Sequence, residues 1–188
     1  MKICTVKLES TNPISFSRYL NIPKLANEDD AQREERTWRE RMHVNQDGNV
    51  MIPPMMFKKC LSGAAQYLGD KIPGRRGSTF SQKFKSGVMC FEPIILPEKK
   101  DDVEGEWLYV PSDGRPGGRS RVPKCFPVIR KWQGTVSFRI IEDSITEEVF
   151  RKHLNKAGEL IGIGRFRPAQ DGFYGTFRVA EFRWEDGE

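Results

Sequence analysis

Histidine is nearly missing from this sequence: His43 and His153 are the two in 188 residues. Cysteine is scarce, and Cys4, Cys60, Cys90 and Cys125 stand too far apart to make a CxxC pair. A zinc site needs ligands at close, regular spacing, so none is expected here, and no cofactor is. Each cysteine sits in an apolar stretch and reads as a buried free thiol in a reducing cytoplasm. No apolar run is long enough to cross a bilayer, and the opening MKICTVKLES lacks the apolar core of a signal peptide, so no membrane partner is expected. There is no Gly-Lys-Ser/Thr phosphate loop. Neither a Ser-His-Asp set, a Cys-His set nor a carboxylate pair stands out of the charged background, which leaves no site of hydrolytic chemistry to point at.

Acidic residues are also missing from two long windows. Residues 71–91 hold five basic side chains and residues 114–141 hold seven, with no Asp or Glu in either. Acids concentrate at 28–40, 98–106 and the C-terminal end, so the formal net charge is only +5. Two basic blocks bounded by acidic ones suggest one electropositive surface, set against the plainer reading of two solvated loops. Hydrophobic content is 37%, but 12 Phe, 4 Trp and 4 Tyr supply large core pieces, which excludes wholesale disorder.

Alternation of Cys4, Val6 and Leu8 predicts a half-buried strand at 2–9. Residues 10–27 read as irregular structure or a short strand, and 28–42 as a polar helix or arm exposed to solvent. Pro53 and Pro54 suit a helix start, and Phe57, Leu61, Ala64, Ala65 and Leu68 form its apolar stripe, closed by Gly69. Residues 71–87 read as a long basic loop, 88–96 as a strand and 97–121 as an insertion, with Trp107–Val110 a candidate short strand inside it. Val136, Phe138 and Ile140 alternate in a strand over 135–141. Ser144 to Glu147 has the form of a capping box opening a second amphipathic helix, with Phe150, His153, Leu154 and Ala157 inward and Gly158 closing it. A last strand at 175–184 changes parity between Val179 and Phe182, which predicts a bulge. The order is that of an α+β fold, a ferredoxin-like, RRM-like βαββαβ sandwich. We read it as one domain over 1–188, with insertions at about 10–49, 71–87 and 97–131. Its open sheet face would show Thr5, Lys7, Thr135, Ser137 and Arg139.

Between the second helix and the last strand lies the densest cluster of unusual residues. Residues 158–175 hold five glycines, Arg165, Arg167 and the Phe173–Tyr174 pair. Glycine lets a partner approach the main chain, arginine suits phosphate, and aromatic faces accept bases. The opposing reading is that these glycines serve only a tight turn and close packing. The strings LIGIGRFRP (160–168) and DGFYGTFRV (171–179) resemble the glycine-rich signature of the RAMP superfamily, CRISPR-associated proteins with RRM-like folds. VMIPPMMFKKCLSGAA (50–65) is similar to the Ile-Pro-x-x-x-Lys helix start of its strand-polymerising subunits. Residues 168–171 depart from the family's denser run of arginine and serine. The resemblance implies binding of single-stranded RNA or DNA, with side-by-side assembly as a homo-oligomer or ribonucleoprotein.

The candidate contacts are Lys58 and Lys59 at a helix start, and Arg75, Arg76, Phe80, Lys83, Phe84 and Lys85 in the first basic block. Arg119 and Arg121 come from the second block, Arg139 from the sheet face, and Gly162, Gly164, Arg165, Arg167 and Tyr174 from the loop. Phe80 and Phe84, flanked by lysines, are the preferred stacking platforms. A protein-interaction, inhibitor or viral assembly module stays open as an alternative. A metal-independent endoribonuclease is a third, with His43 its weak candidate, since some members of the resembled family cleave RNA with a histidine.

Overall fold

The computed structural model describes residues 1–112 and 120–187. Its main sheet contains β1 (Lys2–Ser10), β5 (Val88–Cys90), β9 (Gln133–Ile140) and β10 (Phe177–Asp186), in the order β10-β1-β9-β5, every neighbouring pair antiparallel. The fold is α+β with antiparallel sheets and helices, compatible with a ferredoxin-like arrangement. Cys4, Val6, Leu8, Val136, Phe138 and Ile140 are all buried, as their alternation predicts. Lys7 pairs with Glu181 and Leu8 with Val179, so Ala180 is the extra residue of a bulge, at the parity change seen in the sequence.

Helix α2 (Pro54–Leu68) carries its apolar stripe inward and ends at Gly69, whose φ of 60° is the left-handed conformation glycine favours. Phe57 meets Trp132 and Phe177, each at a centroid distance of 6.3 Å. Helix α4 (Glu147–Lys156) lays Phe150 against Phe138 at 5.3 Å and Trp184 at 5.7 Å. All four cysteines are free and buried, and burial pushes the thiols of Cys4 and Cys60 up to about 12.

Several local expectations are corrected. The basic stretch 71–87 is not one loop: Phe80–Gly87 forms helix α3, because Phe80 and Phe84, four apart, both reach the core. Residues 88–96 are two strands. Pro93 falls between β5 and β6 (Ile94–Lys99), and β6 pairs with β4 (Asn49–Ile52), itself paired with β3 (His43–Val44), in a separate sheet. The insertion from residue 97 holds β7 (Glu104–Pro111) and β8 (Arg121–Ile129), a hairpin that β2 (Ile14–Ser15) joins as a third strand. Thr146, not Ser144, caps α4 by accepting from the Val149 amide, while the Ser144 hydroxyl turns to Glu142. The chain does not leave the helix at Gly158. It continues through a π-helical turn to Ile161, and Gly162 ends it. Helix α1 (Asp30–Thr37) and the short 3-10 turn that follows are polar in sequence, yet Glu34, Thr37 and Trp38 are buried.

Phe84 is fully buried, its ring 4.4 Å from the buried His153 and 6.1 Å from Phe150. Phe84→Ala should therefore lower unfolding free energy by about 3–5 kcal/mol in a denaturant titration. A loss near zero would mean the ring is not part of the core.

Candidate nucleic-acid interface

The second face of α2 does not enter the core. Met56, Lys59, Gly63, Gln66 and Tyr67 recur along it and form one wall of a cleft of about 890 Å³. The glycine-rich segment from Leu160 to Ala169 forms the opposite wall, and Phe16, Ser17, Arg18, Arg41 and His43 close the end. Arg18, Arg41, Lys59, Arg165 and Arg167 line it together, and among the described residues no carboxylate does.

Backbone contacts hold the loop wall in place. The Arg165 amide donates to Ser15 O at 2.8 Å, the Ile163 amide to Gly175 O at 3.0 Å, and the Gly175 amide to Pro13 O at 2.6 Å. Gly164 has φ 77°, and a Cβ there would lie 2.5 Å from Ser15 O. The Gly162 amide already donates to Ala157 O, so it is not free for a phosphate. The Gly164 amide has no protein acceptor among the described residues.

The charges differ in how they are held. Arg167 ties the loop to itself, donating to Gly164 O and Gln170 Oε1, both at 2.9 Å. Arg41 donates to both oxygens of buried Glu34, at 2.6 and 3.1 Å, and to Cys125 O. Burial alone would raise the Glu34 carboxyl, but hydrogen bonds from Arg41, the Cys125 amide and Lys124 outweigh it and hold it below the usual range. Burial and then Arg18 push the His43 pKa down, which favours neutral imidazole at pH 7. Among the described residues, Arg18 and Lys59 have no acidic partner.

The structure thus gathers Lys59, Gly162, Gly164, Arg165 and Arg167 of the expected contacts, and adds His43. It does not gather the rest. Phe80 and Phe84 are 3% and 0% exposed, so neither offers a face for stacking. Lys58 points the other way, donating to the carbonyls of Phe84, Lys85 and Val88 at the end of α3. Lys83 pairs with Glu142 at 2.7 Å. Arg75 and Arg76 are exposed in the turn before α3, and Lys85 is exposed on the last turn of α3 itself. Arg121 donates to Tyr109 O on the hairpin, and Arg119 lies outside the described residues. Tyr174 is half-buried, its hydroxyl donating to Glu106 Oε1 at 3.0 Å.

Arg139 is on the sheet face turned away from the helices. There Lys7 pairs with Glu181 and Arg178 with Glu9, which leaves that face nearly charge-balanced. Its exposed ring is Phe91, with Arg139 over it at 5.2 Å. Arg18, Arg41 and Tyr67 were not anticipated. Nothing local marks them, since they come from an irregular segment, a polar turn and the outer face of α2. Among the described residues no group of three or more His, Cys, Asp or Glu is placed to hold a metal ion, and no helix is long and apolar enough to cross a membrane.

No protein-family model matches the chain, and no curated protein matches it. Among solved structures, the fold is similar to that of Cmr6 from Pyrococcus furiosus, a RAMP protein. The TM-score is 0.51 at 14% identity, over 95% of this chain and 99% of that one. A chain of a CRISPR RNA-guided surveillance complex superposes at a TM-score of 0.36 and 10% identity, over 93% of this chain and 66% of that one, too loosely to carry weight. The resemblance to the RAMP superfamily holds as a distant likeness of fold.

Glu34's depressed pKa stabilises the fold at pH values above its unfolded value of about 4.3, and that contribution is lost as pH falls. The melting-temperature gap between wild type and Glu34→Gln should therefore narrow from pH 7 to pH 3. A gap independent of pH would show that the carboxylate's charge is not what matters.

Proposed function

We propose that this single RRM-like domain binds single-stranded RNA in the cleft between α2 and the glycine-rich loop, without cleaving it. The carrying observation is the cleft itself, where five cations converge, no carboxylate lines the wall among the described residues, and Arg41 alone of the five is ion-paired there, with Glu34 behind it. A polyanion is the partner that such a surface attracts, and a strand's phosphates are spaced to meet several cations at once. The fold shared with a RAMP protein supports RNA over other polyanions. Beside neutral His43 the cleft lining has no second histidine and no carboxylate among the described residues, which supports binding without chemistry. The strand would run along α2 and bring neighbouring copies or other subunits side by side in a ribonucleoprotein. Four buried free thiols suit a cytoplasmic setting.

Fluorescence anisotropy with labelled single-stranded RNA tests this reading. Affinity should fall steeply with salt, and Lys59→Ala should flatten the slope of log K against log salt by roughly 0.7, the share of one phosphate contact on a single strand. Arg18→Ala should act alike, and Arg139→Ala on the far sheet face should change the slope little. If Arg139→Ala has the large effect and the cleft variants none, the strand binds the open sheet instead.

A further inference from the structure

Two guanidinium groups of the cleft share one aromatic ring. Arg165 Cζ lies 3.6 Å from the Phe126 ring centroid, and Arg41 Cζ lies 5.2 Å from the same centroid. After burial, the charge of Arg41 is among the influences that hold the Arg165 pKa down. Like charges so placed repel, and the surroundings must hold them together. The electron-rich face of Phe126 attracts both. Glu34, 3% exposed, fixes Arg41 through two hydrogen bonds and also accepts from Lys124 at 2.9 Å and from the Cys125 amide at 2.8 Å. Glu106 also faces Arg165, but one of its oxygens is engaged by Tyr174. Glu34 is shared by two cations, Arg41 and Lys124, so three cations stand against two acids and Arg165 has no ion pair of its own among the described residues.

Arg165 also lacks other acceptors: among the described residues its side chain makes no hydrogen bond to the protein, although Nη1 is covered from water. A half-buried guanidinium with a purely structural role ordinarily meets carbonyls or a carboxylate, because covering its donors without acceptors is costly. Arg167, two residues on, does meet such acceptors. Arg165 is held instead by stacking alone, with its fork unused on the wall of the cleft.

The geometry points to a single-phosphate subsite within the cleft. Arg165 donates the Nε–Nη2 edge of its fork, the edge that is not covered, to one phosphodiester oxyanion of the bound strand, and Arg41 adds charge beside it. Phe126 and Glu34 are positioning residues that keep the two guanidiniums together before the strand arrives. This rests on the reading of the cleft as an RNA-binding site.

The test is anisotropy with labelled single-stranded RNA across a salt series, on the full chain, with melting temperatures recorded for each variant. Arg165→Gln should weaken binding by roughly tenfold or more and lower the salt slope by about 0.7. Arg165→Lys should restore the slope but not the affinity, since it keeps the charge and loses the planar fork. Glu34→Gln separates positioning from bulk charge. Removing a negative charge near the cleft would by itself tighten binding, whereas loss of positioning weakens it with the slope unchanged. Weaker binding by Glu34→Gln supports the subsite, and tighter binding overturns the positioning role. If the wild type binds RNA and folded Arg165→Gln and Arg165→Lys both match it, the subsite is overturned and the cleft reading stands. A wild type that binds no RNA at all overturns both.

Discussion

The glycine-rich segment is locked to its neighbours backbone against backbone. Gly175, at φ 69°, donates to Pro13 O and accepts from the Ile163 amide, and a Cβ there would fall 1.8 Å from Ile163 O. Only a residue without a side chain allows two chain segments to lie this close. This contact joins the end of the last helix, the start of the last strand and the short strand β2. Because of it, residues 160–169 form a stiff wall facing α2. Glycine here serves rigidity. The structural reading of these residues and the functional one are the same reading, since a wall that did not hold its shape could not present Arg165.

The charge of the cleft follows from burial as much as from composition. Many of the chain's cations are neutralised where they stand: Lys83 by Glu142, Lys7 by Glu181, Arg36 by Glu28. Lys58 is consumed by the carbonyls at the end of α3. Among the described residues, Arg18, Lys59 and Arg165 form no ion pair, and they share one concavity. A field focused in such a recess acts on a polyanion more strongly than the modest net charge of +5 suggests. Glu34 adds the reverse case, a buried acid whose hydrogen bonds orient a cation of the cleft.

Much of the architecture was legible in local pattern. Alternation marked β1 and β9, the four-seven-eight spacing after Phe57 marked α2, and a change of parity marked the bulge at Ala180. These signals work because a strand or helix that buries one face must repeat its apolar residues at its own period. Helix α3 was missed because Lys83 and Lys85 on either side of Phe84 made a short amphipathic turn look like part of a basic loop. The pairing of β7 with β8 was missed because these strands take their meaning from each other: Trp107, Leu108 and Tyr109 pair across to residues about sixteen positions away.

The sequence by itself determined which residues carry charge, which glycines must recur, and where the main helices and strands begin. Each of those depends on a residue and its near neighbours. The tertiary structure decided which charges matter. It buried Phe80 and Phe84, turned Lys58 inward and Arg139 to the far face, and brought Arg18 and Arg41 beside Arg165 across more than a hundred residues of chain. Electrostatic partnership depends on distance and burial, and neither is set until the chain has closed on itself.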